Sequence, residues 1–189
     1  MAAALFFGAG CGGSDETQPS ATGSAAASTT TPDASRVALT AAAVLPNLGA
    51  SGFAQTAPEN VAAPGGLDIA FSIYERATEP KLQARAEVRV YPTEADAKAD
   101  YPTQSQGWKN PPPDVFGIDP KNADATALAG LSEAVAYIGT AVDGERNRVW
   151  TDVYRIGRVV VVQHVLGQQE RDTDPVRKAM ADAIRAKVQ

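Results

Sequence analysis

The chain carries one cysteine and one histidine in 189 residues. So small a stock of soft ligands excludes zinc and iron–sulfur centres built from this chain alone. A single thiol also excludes an internal disulfide. Lys and Arg number 17 against 22 Asp and Glu, for a formal net charge of -5. No cationic surplus exists to neutralise phosphates, which argues against a nucleic-acid partner. No apolar run approaches the roughly 20 residues that a membrane-spanning helix needs. P-loop, dinucleotide-binding and nucleophile-elbow glycine patterns are all missing. What is present is the composition of a globular domain, 44% hydrophobic and 21% charged, at a length that fits one domain.

The single cysteine has a telling position. A short apolar stretch from Met1 ends in Gly8-Ala9-Gly10-Cys11, the length of a signal-peptide h-region. Small side chains before a cysteine are what a lipoprotein signal peptidase accommodates, and the thiol is the acceptor for diacylglycerol. The segment resembles the bacterial lipobox, although Gly8 stands where that motif has a branched aliphatic residue and no Lys or Arg precedes Cys11. The resemblance implies a signal peptide over residues 1–11 and a palmitate-type lipid anchor on Cys11. The plainer reading is a small apolar tail with an incidental thiol. Residues 12–35 are Ser, Thr, Ala, Gly and Pro with three acids and no bulky apolar residue. Such a segment cannot bury enough surface to offset its ordering entropy, and is expected to be a disordered linker. As a flexible coil it would reach roughly 25–30 Å.

Regular patterning starts near Arg36, so residues 36–189 are expected to form a single α+β domain. Thr40 is placed to cap a short helix that Pro46 stops. Residues 67–76 and 83–91 alternate with period two around an Ala77-to-Pro80 turn, as a hairpin does. Thr93 caps a following helix, with Glu94 and Asp96 in its first turn. Residues 109–127, with Pro111, Pro112, Pro113 and Asp119-Pro120, read as a long loop, and loops of that length are often functional. Three further strands follow at 133–142, 147–156 and 159–166, with Gly144 and Gly157 in the turns. Asp174-Pro175 has the form of a helix start, and Val176, Met180 and Ile184 lie on one face of that helix. Hairpin connections predict a mainly antiparallel sheet of about five to six strands with helices packed on one face.

Within the domain, the segments 39–42 (LTAA), 90–97 (VYPTEADA), 130–134 (GLSEA) and 155–162 (RIGRVVVV) are the phrases that carry a family likeness. They resemble the sensor-like extracellular domains of small exported actinobacterial lipoproteins and of a mycobacterial Ser/Thr kinase. The resemblance implies location and fold, with no shared catalytic residues to carry over.

The chemical inventory is thin. His164 shares a strand face with Val160, Val162 and Leu166, so it reads as structural or partner-facing rather than catalytic. Asp119 and Asp124 flank a loop, and Glu170, Asp172 and Asp174 stand before the last helix. Asp174 reads as a cap, Asp119-Pro120 as a turn and Glu170 with Arg171 as a solvated run. The spacing of 170, 172 and 174 lacks the glycine and distal Glu of a calcium loop. No metal site, cofactor or catalytic residue is assigned. Trp150 and Tyr154 share one strand face and read as sheet packing. Trp108, at the mouth of the proline-rich loop, either staples that loop or forms a platform with Pro111, Pro112 and Pro113 for a ligand or partner.

The leading expectation is a non-enzymatic binding or sensor-like module, lipid-anchored on the extracytoplasmic face of the cell membrane. Its partner would be an envelope protein or a small hydrophobic ligand. The alternatives are a carrier with an apolar cavity for a lipid or other hydrophobic ligand, and a carboxylate-based hydrolase.

Overall fold

The computed structural model describes residues 39–109, 118–141 and 147–189. Cys11, the 12–35 linker and the Pro111, Pro112 and Pro113 run lie outside the described residues. The first helix, α1 (Ala41–Val44), is one turn long, and Thr40 Oγ1 accepts from the Ala43 N–H as its cap. The first clear hairpin joins β3 (Asp68–Arg76) to β4 (Leu82–Val90) in unbroken register from Asp68 opposite Val90 to Arg76 opposite Leu82. It follows two short strands, β1 (Ala54–Gln55) and β2 (Glu59–Ala62), both of which pair with β3. Thr93 Oγ1 accepts from the Asp96 N–H to start α2 (Glu94–Gly107), which runs through Pro102.

The second half adds β5 (Ile118–Asn122), β6 (Glu133–Thr140), β7 (Arg148–Ile156) and β8 (Val159–Gly167). Gly157, at φ 54°, makes the tight turn between β7 and β8, a backbone conformation that side chains with a Cβ adopt reluctantly. The chain closes with α3 (Glu170–Val188). That helix starts a turn earlier than Asp174-Pro175 suggested, because the Asp172 and Thr173 N–H groups already bond the Gln169 carbonyl. Asp174 is thereby freed from capping and pairs with Arg177 instead.

All strand pairs are antiparallel, in the order β1-β3-β4-β8-β7-β6-β5 with β2 also beside β3. The α+β antiparallel architecture is the one read from the sequence, but the described residues form eight strands rather than five or six. The strands outside the five patterned ones are β1, β2 and β5, the first beginning at Ala54, in the Gly52-Phe53-Ala54 stretch where the sequence admits a short strand. The first two are exposed along their whole length, and β5 contains Pro120 and a register shift. Such strands carry no alternation, and proline is tolerated only at a sheet edge.

The helices also depart from a one-face arrangement. On one face α1 and α3 pack over Ala84, Ala86, Val88, Val159, Val161 and Val165. Strand alternation turns Val160 to the other face, where Tyr91 and Ala97 bury it beneath α2, with Leu67 and Tyr101 packed alongside. The Tyr137 hydroxyl donates to the Ser105 carbonyl at 2.9 Å and ties α2 to β6, while Arg155 joins Glu94 of α2 to Glu133 of β6. A central strand covered on both faces needs apolar side chains at both parities. The run Val159 to Val162, all buried, meets that requirement.

Candidate functional site

Register assembles the site. Across β3, β4, β8 and β7, Ile73, Arg85, His164 and Thr151 form one row on the α2 face. Gln83, Leu166 and Val149 form the next row across β4, β8 and β7. With Ala84, residues of these two rows line a pocket of about 100 Å³ whose walls are largely apolar.

His164 sits at the inner side of this pocket and is buried. Its Nδ1 and Thr151 Oγ1 are 2.9 Å apart. The Trp108 ring meets the imidazole edge-on, with centroids 4.5 Å apart and planes at 64°. Burial, reinforced by the nearby charge of Arg85, lowers the His164 pKa to about 3. The ring is therefore neutral at physiological pH, a hydrogen-bonding apolar surface rather than an acid–base group. Trp108 closes α2 as its C-terminal cap and is half-buried. The fold puts the rings of Trp108 and His164 in contact.

Arg85 stands at the pocket's polar side. Its guanidinium lies 4.8 Å from the Phe71 ring centroid, a cation–π stack that fixes its position. Its pairing with Glu87 is loose at 3.7 Å. Glu87 is drawn instead to Arg89, which holds it through Nε at 2.8 Å and Nη2 at 2.7 Å.

The carboxylates considered from the sequence go elsewhere. Asp124 accepts from the Thr126 N–H at 2.8 Å, and its hydrogen bonds to Thr126 hold its pKa below the usual range. Asp174 binds Arg177 Nη1 at 2.6 Å. Asp152 was not singled out in the sequence, yet it is fully buried between β7 and α3. It receives Arg177 through Nε at 2.9 Å and Nη2 at 2.6 Å. Gln163 Nε2 donates to the same carboxylate and to the Arg177 carbonyl, and the Tyr154 hydroxyl donates to Gln163 Oε1. Every polar group of this network has a partner, as a tie between sheet and helix requires. Trp150 and Tyr154 are buried, as their shared strand face implied. No group of three or more His, Cys, Asp or Glu residues arranged to hold a metal occurs among the described residues. No helix among them is long and apolar enough to cross a membrane.

The class defined by this architecture is an α+β domain with a single antiparallel sheet and helices on both faces. No family model matches the chain, and no curated protein does. Among solved structures it is similar to the extracellular domain of PknH from Mycobacterium tuberculosis, with a TM-score of 0.51 at 15% identity. The match covers 76% of this chain and 94% of that one, and it shows a shared fold.

Proposed function

We propose that this protein is a lipid-anchored, non-enzymatic binding or sensor-like module on the extracytoplasmic face of the cell membrane, and that the pocket beside His164 and Trp108 is its ligand site. The observation that carries the reading is the pocket itself: apolar walls, one cation at the side, and a neutral buried imidazole fixed by Thr151 and Trp108. Pockets of this composition, apolar with a few placed polar groups, are where small ligands bind. Two further facts support it. The fold is shared with a domain whose own description is extracellular, and Cys11 sits in a lipobox-like segment ahead of a linker-like stretch.

The pocket favours a small ligand over a lipid cargo. Its volume of about 100 Å³ is below the roughly 150 Å³ of an apolar cavity that holds benzene, so a long acyl chain does not fit. The hydrolase alternative has little support, because Asp152 and Asp174 share one guanidinium and Asp124 caps a turn.

Two measurements test the proposal. Expressed in a bacterium with lipoprotein processing, the protein is expected in the membrane fraction, and Cys11→Ser is expected to release it or leave it unprocessed. Identical processing and distribution of the two would overturn the anchor. Trp108→Ala is expected to remain folded by circular dichroism while altering small-molecule binding at the pocket. A Trp108→Ala protein that binds like the wild type would remove Trp108 from the site.

A further inference from the structure

We propose that a second site lies at the end of the sheet, where the 79–82 turn faces the start of α3, and that it takes a neutral oligosaccharide. The turn, the first residues of α3 and the Gln168-Gln169 link from β8 enclose a cleft of about 470 Å³, inside the range of small-molecule clefts. It shares no lining residue with the pocket beside His164. Its floor is rigid. Leu82 is buried there, and Gly167 packs so closely that a Cβ would collide with Leu82 and Thr173. Arg76 fixes the turn, donating from Nε to the Pro80 carbonyl at 3.2 Å and stacking 5.2 Å from the Phe53 ring centroid. Walls set before a ligand arrives lower the ordering cost of recognition.

The lining sets the ligand class. Glu79 and Asp172 oppose Lys81 and Arg171, so the four charges of the wall cancel. An anion drawn to the two cations is repelled by the two carboxylates, and a cation meets the reverse. Gln168 and Gln169 add two exposed amides, each with donors and an acceptor. The Gln169 amide is not drawn into α3, because its side chain makes no capping bond. Sugar rings match such a wall: each hydroxyl both donates and accepts, and the C–H face can lie on Pro80. Clefts of about 350 and 340 Å³ adjoin the first, one through Lys81 and Leu82 and the other through Pro80, Arg171 and Asp172. Together they run round the 79–82 turn as a groove longer than one ring needs, so the ligand is a chain of sugars rather than a single small polar molecule. A peptide would use a strand edge or apolar side-chain pockets, whereas this groove crosses the ends of β3, β4 and β8.

The test titrates tetra-N-acetylchitotetraose and maltotetraose into the full chain while amide NMR shifts are followed. Saturable shifts are expected at residues 79–82 and 167–173 with at least one of the two. Affinity should hold between about 0.05 and 0.5 M sodium chloride, since a neutral ligand has no charge to screen. Gln168→Ala combined with Gln169→Ala is expected to weaken binding about tenfold, the loss of one or two hydrogen bonds. Both side chains are exposed, so the circular dichroism spectrum should not change. Citrate and the zwitterionic peptide triglycine serve as charged alternatives. If either binds at these residues more tightly than both saccharides, the oligosaccharide assignment is wrong. Saccharide binding that the double glutamine variant leaves unchanged overturns the site, as does the absence of shifts with both saccharides at tens of millimolar.

Discussion

Consider Asp152→Ala. In the folded protein the Asp152 carboxylate and the Arg177 guanidinium are 0% and 1% exposed, and two charge-assisted hydrogen bonds join them. The substitution leaves the guanidinium with Asp174, whose side chain is 41% exposed, and with the Asp124 carbonyl at 3.1 Å. The charge cannot be discarded by deprotonation. Burial pulls the Arg177 pKa down, but the hydrogen bonds and charges of Asp152 and Asp174 outweigh it and raise the pKa above the ordinary arginine value. Removing one partner of a buried pair costs about 3–5 kcal/mol. The remaining Asp174 contact places this case near 3 kcal/mol. At roughly 2–4 °C per kcal/mol for a domain of this size, the melting temperature should fall by about 10 °C, with a matching loss in urea unfolding at pH 7. Replacing both partners by apolar residues, Asp152→Leu with Arg177→Met, removes the stranded charge and should be less destabilising than either single change. A loss below about 1 kcal/mol for Asp152→Ala would mean that water reaches the guanidinium. A double variant no more stable than the singles would make shape rather than charge the source of the penalty.

The buried imidazole makes stability depend on pH. A free histidine titrates near 6.5 and His164 at about 3, so below pH 6.5 the unfolded chain takes up a proton that the folded chain refuses. The contribution is full above pH 6.5 and is lost as pH falls toward 3, amounting to about 2–3 kcal/mol at pH 4.5. Urea midpoints for wild type and His164→Gln between pH 7 and 4.5 should converge by that amount, and parallel curves would show that His164 is not buried neutral. Gly167 tests packing where β8 meets α3. A Cβ there would lie 2.6 Å from Leu82 Cδ2 and 2.8 Å from Thr173 Cγ2, both on buried residues. Gly167→Ala should cost about 1–3 kcal/mol in urea unfolding, and an unchanged midpoint would mean that these neighbours can move.

Much of the secondary structure was legible because its causes are local. Thr40 and Thr93 cap the helices that their positions suggested. The β3–β4 hairpin follows the alternation of Ala84, Ala86 and Val88 with Arg85, Glu87 and Arg89. The β7–β8 turn falls at Gly157. Helices on both faces of the sheet also have a local cause. In Val159 to Val162 both parities are valine, and a strand that is apolar on both sides must be covered on both sides. The strands β2 and β5 have no comparable signal, since exposed strands have no buried face to alternate against.

Local patterns along the chain specify an α+β antiparallel domain, its strand-forming cores and the caps of its first two helices, and set the segment around Cys11 apart in composition. Which residues meet is settled by the packing of distant elements. Trp108 lies far along the chain from His164, yet their rings touch, because β8 inserts between β4 and β7 and α2 crosses the sheet above it. Asp152 meets Arg177, and Arg85 comes to stand beside His164, through the same strand order. Alternation and capping are written within a few residues of sequence. The choice of β4 as the neighbour of β8 depends instead on the summed burial of two complete faces, which no local pattern encodes.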